Sequence, residues 1–223
     1  MANIQPEFLE SLGIHGFRAV QPKPLWTAHL EKAMSLVHRL PNRLAVLKTL
    51  FREELKELVW LEAATPEAEL FASAAYPEVP GKVFLTLGVF AYVPPNLVST
   101  SLNFYCAFEN MVHECLHHRG EKIFRRSLLI APWMDSKAQI QVSWRETQWG
   151  FSHAIQAYYV YLWIFELRKW YVQENLDSTH FESQLRESID KVAEIILELE
   201  VQLAGVMGVQ GSQLRQECLL NYK

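Results

Sequence analysis

Between Thr147 and Phe165 the chain runs for 19 residues without an Asp, Glu, Lys or Arg. Few environments accept such a run. Its length is close to what a membrane-crossing helix needs. Gln148, Ser152, His153 and Gln156 crowd its first half, however, and polar groups there weigh against insertion. A buried helix is the better reading, from Gln148 to about Gln173, and it must be covered on all sides by other elements. The rest of the chain can supply that cover, because half of its 223 residues are apolar and only 21% are charged. Low-complexity disorder is excluded on the same ground. The expected fold is α+β and mostly helical, with a helix layer beside a small β-sheet. A single domain over 1–223 is expected. Residues 1–79 would form an N-terminal helical layer, 80–178 a core around the candidate site, and 179–223 a long C-terminal helix and tail.

Charge and cysteine usage narrow the function classes. A net charge of -4 and a pI near 6.1 leave no basic footprint for nucleic acid. Cys106, Cys115 and Cys218 are odd in number and form no CxxC pair. Cys106 and Cys115 are nine residues apart in one predicted helix and so face opposite ways. A disulfide scaffold is not expected, and a reducing compartment is. The opening MANIQPEFLE has neither a basic region nor an apolar one, so no signal peptide is read there. The expectation is a cytoplasmic protein with no membrane partner.

Along the chain, Thr27 reads as an N-cap of a helix ending near Arg39, and Pro41-Asn42 starts a second helix. The second helix would carry Leu44, Leu47, Phe51, Leu55 and Leu58 on one face. Thr65-Pro66 reads as the start of a short third helix, to about Ala74. Lys82–Val93 is rich in β-branched and aromatic residues and reads as one or two strands. Ser99 or Thr100 would cap a helix running to His118 or beyond. Ser127–Ile130 and Ala138–Trp144 are weaker strand candidates. Thr179 and Glu182 match a capping box ahead of the last long helix. There Leu185, Ile189, Val192, Ile196, Leu199 and Leu203 form a heptad stripe. Packing within the chain is its first reading, and a homodimer seam the second.

One segment carries chemistry: His113-Glu114-Cys115-Leu116-His117. Histidines four apart lie about 40° apart around a helix, so both imidazoles can reach one metal ion. Glu114 points about 100° from His113, near a metal but not on it. The third ligand is not set by this motif. Gly120 falls where the metzincin extension has its glycine, but Ile123 stands at that pattern's third histidine. Glu146 and Glu166 are downstream alternatives. His153, inside the uncharged run, is the preferred third ligand. Arg145, between the two histidine-bearing helices, reads equally as a carboxylate clamp or as a partner of Glu146 or another acid.

Taken together, His113-Glu-Cys-Leu-His117, Ser143-Trp144-Arg145 and Gly150-Phe-Ser-His153-Ala154 running into an aromatic helix resemble a known family. It is the HExxH-type 2-oxoglutarate/iron-dependent peptide β-hydroxylases, which modify ribosomally synthesised peptides. The resemblance covers roughly residues 80 to 173. It implies Fe(II) held by His113, His117 and His153, with 2-oxoglutarate held by Arg145. It further implies a peptide substrate hydroxylated at a side-chain β-carbon. Glu114 would then steady a neighbouring group by hydrogen bonding. The rival enzyme reading is a zinc metallopeptidase in which Glu114 is the general base. A non-catalytic peptide-binding partner is the reading from a different class.

Overall fold

The structure is a computed structural model that describes residues 4–65, 71–95, 97–99, 101–126, 138–174 and 180–220. It is mostly helical α+β, with small sheets of two to four strands. The chain divides into two compact units, Met1–His118 and Arg119–Lys223.

In the first unit, α1 (Pro6–Ser11) leads into β1 (Phe17–Val20), and α2 spans Pro24–Ser35. Both helices begin on a proline in their first turn, where its missing N–H costs nothing. Pro24, not Thr27, therefore sets the start of α2. After two short 3₁₀ turns, α3 covers Ala45–Glu54. Leu44, Leu47 and Phe51 are buried along it as the spacing predicts. Leu55 and Leu58 are not on this helix, because the chain leaves α3 at Leu55 and enters β2 (Glu57–Ala63). Strands β1, β2 and the short β3 (Ser73–Ala75) all lie in residues 1–79, where a helical layer is expected and no strand. The expected helix from Thr65 to Ala74 ends on β3, and its residues 66–70 lie outside the described residues.

These strands join β4 (Lys82–Leu85) in one sheet of order β1-β2-β4-β3. β2 runs parallel to β4, with Glu57 opposite Lys82, while β1 and β3 pair antiparallel at the edges. The period of two then sorts the side chains. Val59, Leu61 and Phe84 turn to one face and meet Leu9, Ile14 and Phe17. Trp60 turns to the other, 5.2 Å from Trp26 of α2 and 6.0 Å from Phe90, ring centre to ring centre. Helices thus cover both faces, so β2 reads as an apolar run rather than an alternating one. Lys82–Val93 is strand only in part. Thr86 accepts a hydrogen bond from the Gly88 N–H at 3.1 Å and starts a 3₁₀ turn, Leu87–Phe90. The hairpin β5 (Tyr92–Val93) and β6 (Leu97–Val98) follows.

Helix α4 spans Phe104–Arg126. Its cap is Asn103, whose Oδ1 accepts from the Tyr105 N–H at 2.8 Å, the N-cap geometry that satisfies an otherwise orphaned donor. Ser99 donates instead to the Ser101 carbonyl, and Thr100 lies outside the described residues. Cys106, Cys115 and Cys218 take part in no disulfide among the described residues, and all three are buried.

The second unit begins within α4, from Arg119. It holds the hairpin β7 (Gln139–Val142) and β8 (Thr147–Gly150), then α5 (Phe151–Gln173), α6 (His180–Met207) and α7 (Gly211–Leu220). The sequence predicts the long helix from Gln148, but residues 147–150 pair with β7, so α5 starts at Phe151 with Gly150 as N-cap. Helix α5 is buried around most of its circumference, including Phe151, Tyr158, Trp163 and Trp170. Helix α6 covers it with Leu185, Val192, Leu199 and Leu203, all buried. That use of the heptad stripe within the chain leaves Leu197, Val201 and Val206 as exposed apolar residues of the same helix. Ser127–Ile130 and Thr179 lie outside the described residues. No helix among the described residues is long and apolar enough to cross a membrane.

Candidate metal centre

The midsection of α4 positions the histidine pair. Tyr105, Phe108, Val112 and Leu116 are buried, which fixes the rotation of the helix and leaves His113 and His117 half-buried on another side. The two rings meet edge to face, 4.9 Å between centroids, with their Nε2 atoms 3.1 Å apart. Two nitrogens that each lie about 2.0–2.1 Å from one ion are about 2.8–3.4 Å apart at octahedral to tetrahedral angles. The spacing of this pair therefore fits a shared divalent metal.

The edge strand β3 holds the Glu114 carboxylate. Ser73 Oγ donates to Glu114 Oε1 at 2.7 Å and lies 3.1 Å from Asn110 Oδ1. A hydroxyl has one proton to give, and the shorter contact assigns it to Glu114. The Thr86 N–H donates to the Ala72 carbonyl. In an antiparallel ladder alternate residues face the partner strand, so Ala75 turns its N–H outward, where it too reaches Glu114. Burial pushes the Glu114 carboxyl up to about 7, against the opposing pull of these two donors. Burial and the Glu114 charge also raise Cys115 and Tyr76. An inert, protonated Cys115 is the consequence.

Two neighbours of the pair have structural tasks. Asn110 Nδ2 donates to the Tyr92 carbonyl at 2.7 Å and reaches those of Cys106 and Val89, tying the hairpin and the 3₁₀ turn to α4. His118 is buried, with its Nε2 3.0 Å from the Lys82 carbonyl of β4. Its position beside His117 suggests a surface residue or a support of the histidine pair; it is a core residue bound to the sheet.

The second unit gathers Arg145 and His153. Ser143–Arg145 is a 3₁₀ turn that ends on Glu146 in the left-handed region, φ 51°. Helix α6 pins this hairpin: Glu198 Oε1 accepts from the Ser143 N–H at 2.8 Å, and the Gln202 amide exchanges two hydrogen bonds with Gln141. Trp149 of β8 stacks on the His153 ring, 4.2 Å between centroids and 11° between planes. That cover, and then the nearby Arg145 guanidinium, hold the His153 pKa below the usual histidine value, although the ring edge remains open to solvent. Arg145 is exposed, and among the described residues no acid pairs with it. The Trp144 indole N–H beside it is buried without an acceptor among the described residues.

The structure thus brings His113 together with His117, and Arg145 together with His153. Among the described residues, no three His, Cys, Asp or Glu side chains form a group that could hold a metal. Of the other third-ligand candidates, Glu166 pairs with Lys169 at 3.6 Å, and Glu146 is exposed at the end of the turn. Ser73 and Ala75, the groups that hold Glu114, lie about 40 residues away in sequence and carry no motif. No family model matches the chain, and no curated protein matches it.

Proposed function

We propose that the protein is an Fe(II)/2-oxoglutarate-dependent hydroxylase acting on a side-chain β-carbon of a peptide. The observation that carries this reading is the paired geometry of His113 and His117, with Nε2 atoms 3.1 Å apart. His113 and His117 would hold the metal, with His153 proposed as third ligand from the sequence resemblance. Neutral imidazoles are the required form, and the lowering of the His153 pKa by burial favours that form. Arg145 would bind the distal carboxylate of 2-oxoglutarate. It is a cation with no described acid partner, and the Trp144 N–H on the same turn has no described acceptor, so the turn offers what a carboxylate needs. When bound, iron with 2-oxoglutarate and dioxygen supplies the oxidation of an unactivated C–H bond, leaving succinate, carbon dioxide and the alcohol. Glu114, tied to Ser73 and Ala75, positions the His113–His117 turn of α4. A cytoplasmic location goes with this reading, given three cysteines in no disulfide among the described residues. The test is mass spectrometry of a candidate peptide with iron(II) and 2-oxoglutarate. A product one oxygen heavier, with matching succinate, supports the reading, and peptide cleavage without oxoacid overturns it.

A second reading is favoured by a specific observation. The Glu114 carboxyl, pushed up to about 7, is in the range a general base needs at neutral pH. With zinc on the same histidines, Glu114 would take the proton from an attacking water in peptide hydrolysis.

A further inference from the structure

Helices α2 and α3 of the first unit enclose a groove of about 530 Å³ that takes no part in the histidine site. Thr27, Leu30, Met34 and Val37 line it from the α2 side, and Phe51 from α3. The first three follow the three-to-four spacing of one helix face. Phe51 and Leu30 are buried and form the floor, while Met34 and Val37 remain partly exposed. This is an apolar trough open to solvent.

Its rim has a distinct charge. Lys48, Arg52 and His38 border it, against the single acid Glu31. From residue 32 to residue 52 the chain holds five of its 21 Lys and Arg residues and none of its 25 Asp and Glu. In a protein of net charge -4, the groove's rim thus carries two cations, Lys48 and Arg52, against one acid, Glu31. Arg52 has only a loose 3.7 Å contact with Glu53, both groups exposed. Lys48 and Arg52 are one turn apart on α3, a spacing of about 5–6 Å between Cβ atoms. Carboxylates one turn apart on a second helix have the same spacing.

We propose that the groove between α2 and α3 docks an acidic amphipathic helix of a peptide partner. Its apolar side chains enter over Leu30, Met34 and Phe51, and its carboxylates meet Lys48, Arg52 and His38. Helix-in-groove recognition uses anchors at this three-to-four spacing. The flanking charges select the partner and speed its arrival more than they add affinity. The proposal is independent of the metal chemistry and stands or falls without it.

The test is selection from a displayed library of random peptides long enough for about four helical turns, ~15 residues, against the full chain. Enriched sequences are expected to carry large apolar residues three or four apart, with Asp or Glu flanking them. A representative enriched peptide is then titrated by fluorescence anisotropy. The double variant Lys48→Glu/Arg52→Glu should weaken it at least about tenfold, as two attractive pairs become repulsive. Met34→Glu should remove binding, with circular dichroism unchanged, and Lys169→Glu, outside the groove, should have no effect. Enrichment of no peptides, enrichment of peptides without this pattern, or binding indifferent to both groove variants overturns the proposal. So does sedimentation with phosphatidylglycerol vesicles that is lost in the Lys48→Glu/Arg52→Glu variant, which would make the patch a membrane contact.

Discussion

Removing and restoring a divalent metal tests the His113–His117 pair directly. Nickel(II) is a convenient oxygen-stable probe, because imidazole sites accept it ahead of iron. The structure sets the expected size of the effect. The two Nε2 atoms already stand 3.1 Å apart on one helix, so little reorganisation opposes binding. At a metal concentration about a hundredfold above Kd, binding to the folded chain alone adds about 2.7 kcal/mol. For a chain of this size each kcal/mol moves the thermal midpoint by about 2–4 °C, giving a rise of about 5–11 °C. His117→Ala removes one of two adjacent nitrogens. If it weakens affinity about a hundredfold, the same metal concentration adds only about 0.4 kcal/mol, or about 1 °C. His113→Ala should behave alike, and His153→Ala as well if it is the third ligand. The rise should shrink as pH falls, because protonated imidazoles cannot bind metal. The assay is differential scanning calorimetry of chelator-treated protein with and without nickel. Equal shifts in wild type, His113→Ala and His117→Ala would refute the reasoning.

Glu114→Gln separates the two enzyme readings. Hydroxylation measured by mass spectrometry should persist, reduced ~10–100-fold as for a supporting hydrogen-bond partner, whereas a peptidase should lose about 10²–10⁴-fold. Arg145→Ala should raise the apparent KM for 2-oxoglutarate about tenfold while leaving that for the peptide nearly unchanged, since a hydrogen bond to a charged group is worth roughly 1.5–3 kcal/mol. Lys at that position should restore only part of the loss, because it cannot form the planar fork. Asn103→Ala should cost about 1 kcal/mol in urea unfolding by leaving the first turn of α4 uncapped.

Residue order alone determined those features that depend on short-range geometry. A helix under His113 and His117 follows from their spacing and the apolar residues between their turns. The buried character of α5 follows from its missing charges, and the strand β4 from its β-branched, aromatic composition. Arg145 and His153 could be singled out because they flank or interrupt distinctive stretches. Tertiary structure decided what depends on partners remote in the chain. Val59-Trp60-Leu61 could belong to a helix continuing the Leu44–Leu58 pattern, and becomes β2 because β1 and β4 offer backbone hydrogen bonds on both sides. Residues 147–150 leave the long helix for the same reason, pairing with β7. Ser73 acquires a role through Glu114, 41 residues later, and no local pattern encodes that contact. His118, next to the candidate ligand His117, reads as a surface residue or a support of the site until the Lys82 carbonyl arrives from β4. Side-chain spacing along one element is set by covalent geometry, which a sequence displays. Which strand edge, carbonyl or carboxylate meets a given residue is set by how the whole chain buries its apolar surface, which no single segment contains.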